Sequence, residues 1–468
     1  MYYDMSKEQV LADTKYRIEK DSMGELKVPA ESNWGPQTQR AVENFSISNH
    51  KMPSGFIRSL ALLKWGLANA NNDLELISSE KASAIAKSAM EIYEGKHLKE
   101  FPVDVFQTGS GTSSNMNMNE VIANLASTST NKIHPNDDVN MGQSSNDVIP
   151  SAISVDASLF VQNELLKSMS HLKNTIDEKA NSIGDVAKNG RTHLMDAMPV
   201  TFVQEMSAWS AQIQDSIDQY QTSLSKLQQL AIGGTAVGTG INADPGMSEK
   251  CCMHINELTG MKFRPADNAF QAISSQDASL ILSACNRTLA VALTKISNDL
   301  RWMNSGPLGG LGEITLPALQ PGSSIMPGKV NPVIPESVCM AASQVLGNDL
   351  TITHAAQSGN FQLNVMLPLI AHNISESLSL LSNACMSLAD KAILDFEVNH
   401  ENIESMLNRN PILATALNAT IGYEAGAKIV KKAYQEKRSI IDVASEMTDL
   451  DSQTLEKILD PVQLTRNK

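Results

Sequence analysis

The sequence predicts an all-α protein built around a long central helix bundle. Three observations carry this. First, residues 151–183, 200–232 and 266–305 contain neither Gly nor Pro, giving breaker-free windows of 33, 33 and 40 residues. Second, Phe202, Met206, Trp209, Ile213, Ile217, Tyr220, Leu224, Leu227 and Leu230 recur at steps of 3 or 4, which is one face of a helix. Third, aromatics make up only 4 % of the chain while Met reaches 22 residues. A core of Leu, Ile, Ala and Met suits helices better than sheets.

The remaining elements follow in chain order. Residues 1–143 show shorter helical patterns at 57–70 and 79–94, broken by turn-rich stretches such as Asn33-Trp-Gly-Pro36 and His134-Pro-Asn-Asp-Asp138. Residues 144–398 hold the three windows and two further apolar helical stretches, around 336–357 and 369–396. That makes five long helices, which pack side by side as a bundle. Residues 399–468 form a small, charged region with short helices. A length of 468 residues, at about 150 per domain, agrees with this three-part reading.

Composition excludes several classes. With 37 Lys and Arg against 51 Asp and Glu, the net charge is −14. A nucleic-acid binder or a membrane-surface protein needs a basic face instead. No apolar run approaches the roughly 18–20 residues of a membrane span. Met1–Glu8 resembles neither a signal nor a transit peptide, so a cytoplasmic protein is expected. The five cysteines, Cys251, Cys252, Cys285, Cys339 and Cys385, show no C-x-x-C spacing and read as reduced thiols.

Four polar segments stand out. Thr108-Gly-Ser-Gly-Thr-Ser-Ser-Asn-Met-Asn117 reads as an anion-binding nest or an ordinary Ser/Gly loop. Gln143-Ser-Ser-Asn-Asp147 precedes a long helix and suits an N-cap, an anion site, or both. Gly190-Arg-Thr-His-Leu-Met-Asp196 lies at a helix junction and holds His193, one of nine histidines. Pro321-Gly-Ser-Ser-Ile-Met-Pro-Gly-Lys-Val-Asn-Pro332 has three prolines and two glycines in twelve residues and cannot be a regular helix. It offers two hydroxyls, an ammonium and an amide, all suited to an anion. Two other motifs are set aside. Gly238-Thr-Gly-Ile-Asn-Ala243 fits a loose dinucleotide pattern but follows a helix instead of a strand. His134 with Asp137 and Asp138 matches no common metal spacing and reads as a turn.

Together these segments resemble the class II fumarase group of the fumarase/aspartase superfamily. Gly322-Ser-Ser-Ile-Met-Pro-Gly-Lys-Val-Asn-Pro332 is similar to the superfamily signature. Gly109–Thr112 with Asn115–Asn117, His134–Asn140, Gln143–Asp147, Gly190–His193, Gly233–Gly240, Asn33–Arg40 and Thr415–Asn418 resemble the fumarase versions of their regions. The alternative is aspartase, which typically carries Gln, Ala and Thr where this chain has His193, Gly328 and Ser145. Met195, Met198, Val203 and Met141-Gly142 depart from the usual fumarase pattern, and Val333–Glu336 reads more like aspartase. A non-catalytic structural descendant of the fold is a further alternative, against which the intact polar residues argue.

The resemblance implies reversible anti addition of water to fumarate, giving (S)-malate, with no metal and no organic cofactor. It assigns Ser323 as base, His193 as acid with Glu336 orienting it, and Lys329 and Asn331 to the carboxylate that takes up negative charge. Substrate contacts fall to Ser110, Gly111, Thr112, Ser144, Ser145, Asn146, Thr192 and Ser324. His134, Pro135, Asn136 and Asp137 match a second dicarboxylate site. It also implies a homotetramer with a twenty-helix core and active sites shared between three chains.

Overall fold

The computed structural model describes residues 15–466. Five long helices dominate it. The first runs from Ser145 to Phe160, widens into a π turn at Val161–Leu165, and continues as Leu166–Ile183. The others are Phe202–Leu227, Asp277–Met303, Val333–Ala356 and Leu367–Leu388, the last also ending in a π turn at Ala389–Ile393. None is apolar enough over its length to cross a membrane. Every member of the predicted stripe is buried; Phe202 to Leu227 lie on the second long helix, and Leu230 follows in a short strand.

The boundaries differ from the sequence reading where breakers are a poor guide. The first helix begins before Pro150 and carries it inside. The window 266–305 divides without Gly or Pro. A short helix, Ala269–Ser274, ends in extended backbone at Ser275 before Asp277 opens the long one. The N-terminal helices are Pro36–Asn44, Ser54–Asp73, Ser79–Tyr93 and Thr112–Ala126. The last begins inside the segment read as a loop.

Two compact units divide the described residues. One comprises those up to Leu166 with Gln219–Arg287 and Gln344–Leu380; the other comprises Lys167–Asp218, Thr288–Ser343 and those from Leu381 onward. Within the first unit, hydrogen bonds link neighbouring long helices in a chain. Tyr220 donates to Asn286, Ser283 to Asp349, Asn348 to Ser377, and Ser375 to Asp156. Within the second, the Trp209 indole N–H donates to Asp299, and Ser168 and Ser382 share a hydrogen bond. Buried polar groups need such partners, so they fix which helix faces which.

Strands are few and short. The hairpin Tyr16–Asp21 with Gly24–Pro29 leads into the first helix. There Glu120 accepts N–H groups of Gly35, Gln37 and Thr38. A Cβ at Gly35 would lie 2.8 Å from the Glu120 carboxyl carbon, which accounts for the glycine in Asn33-Trp-Gly-Pro36. After His400–Arg409, the short helix Pro411–Leu417 and the helices Tyr423–Glu436, Ile440–Met447 and Ser452–Leu459 share a small core around Leu417, Ile429, Val443 and Leu455.

Candidate active site

The first unit brings two helix starts together. Gly111 adopts φ 74°, and a Cβ there would meet Ile149 at 2.9 Å, so the turn into Thr112–Ala126 requires glycine. Ser110 and Thr112 share a hydrogen bond of 2.9 Å beside it. The long helix beginning at Ser145 opens with a reciprocal cap. Ser144 Oγ accepts the Asn146 N–H at 3.2 Å, and Asp147 Oδ1 accepts the Ser144 N–H at 3.0 Å. Asp147 Oδ2 also accepts the N–H groups of Gly233 and Thr235, and the Asn146 amide donates to Ala236 O. Burial pushes the Asp147 carboxyl up to about 6 despite these donors. Asn115 Nδ2 ties the two starts by donating to Ser145 Oγ at 3.0 Å. Free N–H groups, the helix dipole and clustered hydroxyls all favour an anion here.

His134, Pro135, Asn136 and Asp137 belong to the same unit, on a π turn that His134 caps by accepting the Asp137 N–H at 3.1 Å. Asp138 anchors this turn by accepting the His134 N–H and pairing with Lys81 at 2.9 Å.

The second unit carries the acid–base candidates. His193 is at the tip of a β-hairpin, Ala187–Thr192 with Met195–Thr201, where sequence reasoning placed a helix junction. Thr192 pairs with Met195, so His193 and Leu194 are a two-residue turn, with φ 56° and 58°. Both values positive is the type I′ geometry that Asn-Gly normally fills. A His and a Leu there are strained, and such strain concentrates at functional sites. Thr192 and His193 are exposed.

The hairpin is held from below. Its second strand has one extra residue between Asp196 and Pro199, opposite Gly190. A Cβ at Gly190 would lie 2.5 Å from the Met198 carbonyl oxygen. Lys188 and Arg191 both pair with the buried carboxylate of Glu313 at 2.8 Å, and Lys188 also reaches Glu205 at 2.6 Å. Sequence reasoning missed Glu313; it lies in the Gly306–Pro335 connector without a motif of its own.

The loop 321–332 folds on itself. Gly322 N–H donates to Lys329 O at 2.8 Å, and Asn331 Nδ2 donates to Gly322 O at 2.6 Å. A side chain at Gly322 would collide with Lys329 O at 2.3 Å. Within the closed loop, Ser323 Oγ accepts the N–H groups of Ile325 and Met326 at 3.2 and 3.1 Å. Ser324 and Lys329 are exposed, while Ser323, Asn331 and Glu336 are half-buried. Lys329, Asn331 and Glu336 line one cavity of about 740 Å³ with Arg301, Trp302 and Thr315. That volume admits a small dicarboxylate with water. Among the described residues, no hydrogen bond or ion pair joins His193 to Glu336 or to this loop.

The polar chemistry of this all-α chain thus lies at helix starts, on one hairpin tip and on one long loop. A family model described as Lyase matches residues 24–347, and one described as Fumarase C C-terminus matches residues 413–466. A fumarate hydratase class II of Xylella fastidiosa is 54 % identical over 458 residues, 98 % of this chain and 97 % of that relative. A second, of Pseudomonas aeruginosa, is 55 % identical over 453 residues, 97 % of this chain and 99 % of that relative. The crystal structure of a class II fumarase from Schistosoma mansoni superposes with a TM-score of 0.93 at 39 % identity, covering 96 % of this chain and 99 % of that one. The chain belongs to the class II fumarate hydratase family of these lyases.

Proposed function

We propose that the chain interconverts (S)-malate and fumarate by acid–base chemistry, with Ser323 as base. The observation that carries this is the pair of backbone N–H groups converging on Ser323 Oγ. A serine hydroxyl removes a proton from carbon only if its alkoxide is stabilised, and two fixed backbone donors contribute to that. Proton loss from C3 of malate leaves a carbanion that spreads its charge into the neighbouring carboxylate. Lys329 and Asn331 hold that carboxylate as it becomes dianionic. His193, oriented by Glu336, protonates the departing hydroxyl, with Thr192 and Ser324 beside the substrate. Ser110, Gly111, Thr112, Ser144, Ser145 and Asn146 hold the other carboxylate. His134, Pro135, Asn136 and Asp137 form a second, separate dicarboxylate site.

The two sets of residues belong to different compact units, and Thr192, His193, Ser324 and Lys329 in the second are exposed. Ile281, Val291, Met340, Leu350 and Met386 leave apolar surface uncovered on the long helices, and Ile325 does so on the signature loop. A homotetramer covers these faces and completes each site from three chains. The three-part division at 143/144 and 398/399 and a cytoplasmic location belong to the same reading.

The test is direct. Purified protein is incubated with (S)-malate or with aspartate, and the ultraviolet absorbance of fumarate is followed. Release from malate alone is expected, because departing hydroxide needs an acid and His193 supplies one, where aspartases, whose ammonium needs none, typically carry Gln. Comparable release from aspartate overturns the reading in favour of an ammonia-lyase.

A further inference from the structure

Lys64 stands mid-helix in Ser54–Asp73 and is 1 % exposed. A buried ammonium is costly unless it is hydrogen-bonded and paired. Its Nζ donates to Asn140 Oδ1 at 3.0 Å and Gln143 Oε1 at 2.7 Å, both neutral amides. The carboxylate whose field reaches it, Asp147, is already occupied by the N–H groups of Ser144, Gly233 and Thr235. A cation held this way adds little to stability.

The amides lead to the candidate site. Asn140 Oδ1 also accepts from Asn115 Nδ2 at 3.1 Å and Asn119 Nδ2 at 3.2 Å. Asn115 Nδ2 in turn reaches Ser145 Oγ. Asn115 Oδ1 and Asn119 Oδ1 are buried and have no partner of their own. The chain Lys64–Asn140–Asn115–Ser145 therefore ends at the helix start assigned above to a substrate carboxylate.

We propose that Lys64 is a positioning residue for that carboxylate: it fixes the amides that orient Ser145 and sets a positive charge beneath a dianionic substrate. This rests on the site assignment of the preceding section. The carboxylate concerned is the one that does not take up charge in the reaction. Its binding is equal in ground and transition states, so losing Lys64 raises KM much more than it lowers kcat.

The charge of Lys64 depends on pH. Burial pulls its ammonium down to about 7. Asp156 faces its helix at Gly55, and His254, edge-on to Trp65, and Lys250 pair with Asp73 at its end. Asp147 faces it from the long helix, and Cys251, held neutral by burial, comes from Met247–Thr259, which packs at Gly66. Asp138 is paired with Lys81, and Glu120 is engaged by Thr38. As pH rises through about 7, the free enzyme loses the Lys64 proton and its hold on a dianion weakens.

The test measures kcat and KM for (S)-malate, and Ki for succinate as an unreactive dicarboxylate, between about pH 6 and 9. Wild type, K64M, K64Q and S145A are compared as full-length proteins that co-elute on size exclusion. In K64M, KM and Ki are expected to rise about tenfold with kcat nearly unchanged, and the rise of wild-type Ki above about pH 7 should vanish. If K64M does not fold, K64Q, which keeps an amide donor without the charge, carries the same expectation. Wild-type-like KM, Ki and pH dependence in the neutral variant, beside impaired S145A, overturns the role of Lys64 alone. Unimpaired binding in S145A overturns the carboxylate assignment and the proposal with it.

Discussion

Ser323 and His193 divide the chemistry, and their surroundings suit different losses. Ser323→Ala removes one half-buried hydroxyl from a loop closed by Gly322, Lys329 and Asn331, whose own hydrogen bonds do not need it. We predict a folded variant of unchanged assembly and no measurable turnover; near-normal activity would remove Ser323 from the role of base. His193→Asn keeps a polar side chain that tolerates the positive φ of the hairpin tip. We predict a kcat lower by about 10²–10⁴-fold with a much smaller change in KM. A change confined to KM would make His193 a binding residue instead. In the sequence, His193 stands out as one of nine histidines, at a polar junction, while Ser323 is singled out by the resemblance of its loop to the superfamily signature. Lys64 and Glu313 do not stand out. Each lies among ordinary neighbours, and only burial, a three-dimensional property, marks it.

The hairpin Ala187–Thr201 is an element the sequence hid. Its strands are six and seven residues long and joined by two residues that are neither Gly nor Asn. Nothing in that composition signals a type I′ turn, so the tip was read as a helix junction. The same chemistry makes a prediction. A left-handed conformation costs a residue with a Cβ about 1–2 kcal/mol, and Leu194 bears that cost at φ 58°. Leu194→Gly should therefore raise the thermal midpoint by the equivalent of up to about 1 kcal/mol, after the added freedom of the unfolded chain is subtracted. A lower midpoint in thermal denaturation would show that the exposed leucine contributes contacts in the assembly that outweigh the strain. The existence of the long helices, by contrast, was legible, because breaker-free windows and, at 202–230, a stripe at helical spacing survive errors of several residues about their ends. The boundaries that failed did so where Pro150 lies inside a helix and where Ser275 interrupts one without a breaker.

For the whole molecule, the proposed site needs residues from more than one copy. A tetramer of Ser323→Ala chains and one of His193→Asn chains should each be nearly inactive. When the two are unfolded together and refolded as mixtures, some sites combine an intact Ser323 from one chain with an intact His193 from another. Activity is expected to return above both parents. Its absence in well-formed mixed tetramers would reject sharing between chains and leave the family membership untouched. The long-helix architecture was legible from breaker-free windows, composition and one apolar stripe. The tetramer is an expectation carried by the resemblance, since an exposed Met340 or Val291 reads in sequence like any other apolar helix residue.

The π turn at Val161–Leu165 bears on how this helix tolerates change in length. Deleting one residue from a regular α-helix turns everything beyond it by about 100°, which carries the apolar stripe out of the core. A π turn already holds one residue more than the helical repeat requires, with the flanking segments kept in phase. Removing Asn163, which is exposed, should tighten the turn to a regular one and leave the faces before and after it aligned. The same deletion at Ser154 or Thr175 has no such slack to absorb it. The turn is thus a place where insertions and deletions of a single residue can be gained or lost in evolution at little cost, within an element that otherwise admits substitution only.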